Sequence, residues 1–439
     1  MTLSSDFPTF VMRKAFRLAA LRPLLSLLAG SLLLAPAAQA QLRYDSEYPV
    51  IGYGKTAPQD AFSKAMQELT ASGATLRHDA GGRGYLDALL QLLDIDPSSQ
   101  VLVWSKTSLK QRFIQPSNPR SLFFNDEVYV GFVPGSSTLE IGAMDPKLGP
   151  VFFDLAQNPE APQPFKQETS RCLRCHDTYS MTGGGVPRFM LQSVLAGSDG
   201  SIVSHEISEI TDTSTPFARR FGGWYVTGTH GTMQTMANYI ISSADLIRQP
   251  DFASTGNKTS LDEYVNLDGY LRPTSDIVAL LVLEHQVEVQ NAITRLNYDS
   301  RMLLEANPQA GPAELDPLIR PLLDSLFMAH EAPLTDKVAG TSGFREYFEQ
   351  QGPRDTAGRS LRELDLESRI FRFPLSYLIY SAAIEALPDP VRMRLFAHIR
   401  AVLLQENGAV DYPHLNADAC AVIAAILQDT YPEVLQQGN

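Results

Sequence analysis

Cys172-Leu173-Arg174-Cys175-His176 reads C-x-x-C-H, and the rest of the chain is understood from it. Two thiols three positions apart can each form a thioether to a haem vinyl group, and the histidine that follows then lies under the iron. The chain has three cysteines and eight histidines in 439 residues. At those frequencies a chance match is expected on the order of once in a few thousand such chains. Two other readings use the same residues. A redox C-x-x-C of the thioredoxin kind should follow a strand in a βαβ pattern, whereas the preceding stretch 158–170 is rich in Pro and Gln. A zinc site needs two further ligands at short spacing, and no second cysteine pair exists. One covalently bound haem c is the expected cofactor, anchored by Cys172 and Cys175, with His176 as proximal iron ligand.

The N-terminus supplies a matching context. Met12-Arg13-Lys14-Ala15-Phe16-Arg17 is a basic segment, Leu24 to Pro36 is a short leucine-rich apolar core, and Ala38-Gln39-Ala40 is a small-residue cleavage site. Together they read as a secretory signal over 1–40, with the chain starting at Met1 or Met12 and the mature protein near Gln41. The alternative is an uncleaved anchor. In bacteria haem is attached to c-type proteins outside the cytoplasm, so the expected location is the periplasm. No later stretch has the eighteen or so apolar residues that a membrane span needs.

Residues 1–40 carry a net +3, so removing them takes the net charge from −13 to about −16. That balance argues against nucleic acid and anionic membrane surfaces as partners and would steer a basic redox partner towards the chain. Cys420 lies in the apolar run Ala417 to Leu427 and reads as a small core residue. With no disulfide framework, hydrophobic cores must hold the fold.

Hydrophobic periodicity gives the elements around the motif. Asp60 to Ser72 and Gly84 to Leu93 read as helices. Gln100 to Trp104, Ser121 to Phe124, Val128 to Phe132, Thr138 to Ile141 and Val151 to Leu155 read as short strands separated by turns. Gly52-Tyr53-Gly54-Lys55-Thr56 looks like the tail of a phosphate loop, but its leading glycine position holds Pro49. Beyond residue 246 the pattern is helical. Ser275 is the expected cap of a helix from Asp276 to about Glu305, with Ile277, Leu280, Leu283 and Val287 on its apolar face. Asp316 to Ala329, Gly343 to Gln351, Leu361 to Phe371, Leu375 to Leu387, Pro390 to Gln405 and Ala417 to Leu427 are expected to follow as helices.

Over residues 171–240 the chain resembles the small class I cytochromes c in outline. Those proteins carry C-x-x-C-H on a first helix, then a Gly/Pro segment whose proline carbonyl orients the proximal histidine, then a distal methionine. Gly183-Gly184-Gly185-Val186-Pro187 and Met236 stand at comparable distances from His176. The stretch Gly222-Gly223-Trp224-Tyr225-Val226-Thr227-Gly228-Thr229-His230-Gly231 is also similar to one in larger exported bacterial haem proteins, which favours His230 or Met236. The resemblance implies Met236 as distal iron ligand, with His230 as the alternative. Met233, Met190, Met181 and His205 rank below them.

Haem propionates need cationic partners where they are buried, and Arg174, Arg188, Arg219 and Arg220 are close to the motif in sequence. Trp224 and Tyr225 are candidates for packing against the ring or bonding a propionate. On the long helix, Glu284, His285, Glu288, Asn291 and Arg295 form a polar seam, read either as a solvated ion-pair row or as the wall of a haem-adjacent cavity.

The fold class expected is α+β and mostly helical, with a haem-c segment and a small N-terminal antiparallel sheet. Its divisions are a signal peptide over 1–40, a mixed region over 41–160, a cytochrome c-like region over 161–245 and a helical region over 246–439. The expected function is covalent haem binding and electron transfer with a redox protein or a small-molecule donor or acceptor. A haem-dependent oxidoreductase with an open distal site and a haem-based sensor are the alternatives.

Overall fold

The computed structural model describes residues 45–160, 165–179, 184–406 and 408–436. The signal expected at 1–40, the start near Gln41 and Met181 lie outside those residues, as does the side chain of His205.

Alternation along the strands explains the central layer. Phe123, Val128, Val130 and Phe153 point to one side, where they pack with Phe62 and Met66 of the helix Ala61–Ala71 and Leu86 and Leu89 of the helix Leu86–Leu92. Their neighbours Leu122, Phe124, Tyr129 and Phe152 point to the other side, against a second cluster built on the long helix Ile277–Ala306. A period of two puts consecutive residues on opposite faces of a sheet, and both faces here are covered by helices.

The strands are β1 (Val101–Val103), β2 (Arg120–Phe124), β3 (Val128–Phe132), β4 (Thr138–Asp145), β5 (Gly149–Ala156), β6 (Phe165–Gln167), β7 (Leu191–Gly197), β8 (Ile202–Thr211), β9 (Trp224–Tyr225) and β10 (Ile240–Ile241). Seven of them form an antiparallel sheet in the order β6-β5-β4-β3-β2-β1-β9. A smaller sheet runs β10-β7-β8, with β10 parallel to β7 and β8 antiparallel to it. The turn Phe221-Gly222-Gly223 brings β9 to β1. A Cβ on Gly222 would stand 2.5 Å from the Val194 carbonyl, and Gly223 has φ +78, so both positions need glycine.

The mostly helical expectation is corrected. Helices account for 35% of the chain and strands for 16%, and the antiparallel sheet has seven strands. Two of the expected helices are not formed as such. Leu361 to Phe371 is irregular, because Leu366 adopts φ 62 and Arg362 is pinned to Asp126 across the fold. Leu375 to Leu387 breaks into a turn of 3-10 helix at Tyr377–Tyr380 and a short helix at Ala382–Glu385. Extended serines at 376 and 381 cap each piece, since a serine hydroxyl satisfies an orphan helix amide best from extended backbone.

The long helix starts one residue later than expected, and its cap is Asp276. One carboxylate oxygen accepts from Val278 and Ala279 N–H, and the other accepts from Thr341 and Ser342 N–H. Residues 277–287 are buried without interruption. The first three turns of the helix therefore run inside the core with their whole circumference covered, rather than with one apolar face. The described residues belong to one compact unit, Arg43–Asn439. One core cluster takes Val101 and Phe124, Phe189 and Trp224, and Leu280 and Leu283, so the stretches 41–160, 161–245 and 246–439 share it. Cys420 is buried in that cluster on the helix Ala417–Thr430. Among the described residues no helix is long and apolar enough to cross a membrane.

Candidate functional site

After β6 the chain passes Glu168, whose amide donates to the Phe152 carbonyl, and Arg171, which pairs with Glu168 and Asp154. These contacts tie the entry of the motif to β5. One helical turn follows, Leu173–His176. Residues three and four apart share a face of a helical turn, so Cys172 is brought beside Cys175 and His176. Both cysteines are free, Cys172 half-buried and Cys175 exposed. Burial, then the carboxylates of Asp154, Glu140 and Glu168, push the Cys172 thiol up to about 12. A dithiol built for exchange needs the opposite shift.

His176 is fixed by a reciprocal pair of bonds. Its Nδ1 lies 2.6 Å from the Arg188 carbonyl oxygen, and the Arg188 amide donates to the His176 carbonyl at 2.8 Å. A carbonyl oxygen can only accept, so Nδ1 carries the proton and the lone pair is on Nε2. Among the described residues Nε2 makes no hydrogen bond. Burial lowers the imidazole's pKa, so the ring is neutral at neutral pH. A neutral ring held through one nitrogen, with the other nitrogen open, is the state in which histidine ligates a metal. The orienting carbonyl belongs to Arg188, one residue after the expected Pro187. The segments on either side of the motif are the strands β6 and β7, not the helices that a class I outline implies.

The loop that carries Arg188 is held from the long helix. Asn291 accepts from the Phe189 amide at 3.0 Å and donates to the Phe189 carbonyl at 2.9 Å. Arg295 donates to the Gly184 carbonyl and pairs with Asp45 at 2.8 Å and with Asp299. Ser46 donates its amide to the Gly185 carbonyl and its hydroxyl to Asp177. Burial raises Asp177 to about 6. Asn291 and Arg295 were legible as part of the polar seam, but not as the support of this loop. Asp45, Ser46 and Asp177 carried no signal in sequence.

The seam is neither solvated nor an ion-pair row. Glu284 pairs with Arg220 at 3.0 Å, both buried. Glu288 accepts from Thr213. His285 bonds Ser376 Oγ at 2.8 Å, and burial lowers it to about 3.

The two distal candidates lie elsewhere. Met236 packs with Leu195, Tyr239 and Ile241, with its sulfur 3.8 Å from Ser193 Oγ. Ser193 is five residues beyond Arg188. His230 is buried against Phe217, and its Nε2 accepts from the Asn257 amide at 3.1 Å. Met233 accepts from the Thr335 amide, and Met190 is half-buried. The structure does not bring Met236 or His230 to the contacts that surround His176.

The four arginines separate clearly. Arg220 serves Glu284, Arg219 pairs with Glu209, and Arg174 is exposed. Arg188 is half-buried, and among the described residues it pairs with no carboxylate. Burial, then Arg295, lowers its pKa, so an anion beside it would be held strongly. Trp224 donates to the Gln192 carbonyl and Tyr225 to the Pro116 carbonyl, which satisfies both within the core.

The described residues fit a haem: two free thiols, a neutral imidazole whose Nε2 has no partner among them, and a guanidinium, Arg188, that pairs with no carboxylate among them and could hold a propionate. Among the described residues no group of three or more His, Cys, Asp or Glu could hold a metal ion by itself. A haem iron does not need one, because the porphyrin supplies four nitrogens. No family model matches the chain, and no curated protein or solved structure matches it either.

Proposed function

We propose that the chain is a periplasmic mono-haem c protein that holds its haem through Cys172 and Cys175, ligates the iron through His176 and transfers electrons. The observation that carries the reading is the His176 ring, which donates from Nδ1 to the Arg188 carbonyl and whose Nε2 has no hydrogen-bond partner among the described residues, beside two free cysteines. A bound haem would supply one-electron chemistry at iron. The chain's own residues would anchor it, fix the imidazole and cover one face, with Arg188 holding a propionate. Its partner is a redox protein, or a small-molecule donor or acceptor. The acidic net charge favours a basic partner.

The positions of Met236 and His230 favour a second reading, an oxidoreductase with an open distal side. One experiment tests both. Absorption spectra are recorded for the exported protein, oxidised and dithionite-reduced, with and without carbon monoxide, beside the Cys172→Ser/Cys175→Ser variant. A reduced α-band that is lost in the variant and insensitive to carbon monoxide supports the electron carrier. A band that shifts with carbon monoxide supports the open site. No covalent haem in the presence of working maturation machinery refutes both.

A further inference from the structure

Aromatic rings run unbroken from His176 to a cavity that the site itself does not use. Phe152 stands 4.5 Å from the His176 ring and 5.8 Å from Phe189. Phe189 stands 4.6 Å from Tyr129, which stacks on Phe124 at 6.4 Å. Phe124 meets Phe344 at 5.5 Å, and Phe344 leads through Phe348 to Tyr377. Phe124, Phe344, Phe348 and Tyr377 line a cavity of about 350 Å³.

The walls define what would fit. Aromatic side chains are among the lining residues, which makes the cavity suit an aromatic guest. Arg362 lies over Phe348 and Tyr377 and pairs with Asp126, so the one guanidinium there is already engaged. Asp94 and Glu127 add further carboxylates. The excess of carboxylates over the single guanidinium attracts a cation.

We propose that this cavity is where a small aromatic amine gives up one electron, with Phe124, Tyr129, Phe189 and Phe152 as the bridge to His176. The inference rests on the haem reading above. The amine loses one electron from its π system and becomes a radical cation. In the haem-loaded protein, ferric iron held by His176 would accept that electron and become ferrous. No covalent bond forms or breaks, and no proton moves. The product cation is the form that the carboxylates hold best, so binding favours the electron's departure. The bridge works by tunnelling through packed rings and not by a tyrosyl radical. Tyr129 donates to the Gln290 amide oxygen and accepts from Gln286 Nε2, and neither amide can take its proton.

Tetramethyl-p-phenylenediamine is the probe. Equilibrium dialysis against the ferrous holoprotein, which cannot accept the electron, reads binding alone. Stopped-flow reduction of the ferric holoprotein reads transfer. Ala382 is exposed at the cavity wall, and Ala382→Trp blocks the cavity without touching the core. Saturable binding is expected, weakened about tenfold by Ala382→Trp, together with a reduction rate that saturates with amine. Phe189→Leu opens a gap in the bridge and is expected to lower the plateau rate about tenfold while binding persists. A rate that rises linearly with amine and ignores both substitutions overturns the cavity proposal and leaves the haem reading standing. Absence of covalent haem, visible before any amine is added, overturns both.

Discussion

Asn291→Ala is the most informative single substitution. The Asn291 side chain makes two hydrogen bonds to the backbone of Phe189, at 2.9 and 3.0 Å. Phe189 is only 6% exposed, so alanine leaves its N–H and C=O with little water to replace the lost partners. Leaving one buried polar group unsatisfied costs about 1–3 kcal/mol. Alanine's better helix propensity returns only about 0.5 kcal/mol. The net expectation is a loss of about 3 kcal/mol, read as a lower urea midpoint at unchanged slope. The Phe189 amide that Asn291 accepts from belongs to the same peptide unit as the Arg188 carbonyl that orients His176, so the reduction potential of the haem-loaded protein should move as well. A stability within about 0.5 kcal/mol of the unsubstituted chain, with an unmoved potential, would show that Asn291 does not hold the loop.

The remaining predictions are more local. Arg220→Met leaves Glu284 buried without its partner and should cost about 3–5 kcal/mol in urea unfolding, whereas the double change Arg220→Met/Glu284→Leu should recover much of it. Burial keeps His285 neutral down to about 3, against 6.5 when exposed, so its folded pKa lies below its unfolded one. Its contribution to stability is therefore complete above pH 6.5 and is lost as pH falls from there towards 3, by about 1.4 kcal/mol per pH unit. His285→Gln should flatten the pH dependence of the urea midpoint in that window, and an unchanged slope would sink the assignment. Arg188→Met should lower the reduction potential of the haem-loaded protein, because a cation beside the haem favours the reduced state. Lys at that position should largely restore it.

The parts legible in the sequence were those set by local chemistry. C-x-x-C-H needs five adjacent residues, and the strands from Val101 to Ala156 follow from alternation between turns. The long helix was found from Ile277, Leu280, Leu283 and Val287, although the burial of its first three turns on every side was not, because that depends on what packs around it. The hairpin of β7 and β8 was missed, although Ser198-Asp199-Gly200-Ser201 between apolar runs carries a turn signal that could have found it. Leu361 to Phe371 looked helical by composition, but Arg362 reaches Asp126 and overrides local preference. The support of His176 was illegible for a physical reason: Arg295 and Asp45 are 250 residues apart in sequence, and no periodicity joins them. Distance along the chain to Met236 suggested a distal ligand, yet the chain between runs as strands and carries Met236 to another cluster.

Gln286, Asn291 and Arg295 lie on consecutive turns of one thirty-residue helix. Gln286 borders the aromatic cavity, while the other two residues hold the loop over His176. A helix rises about 1.5 Å per residue, so the two ends of this short lever are only about 13 Å apart. A guest in the cavity and the loop over His176 would therefore share one helix. Any free energy that the first imposes on the second is returned in equal measure.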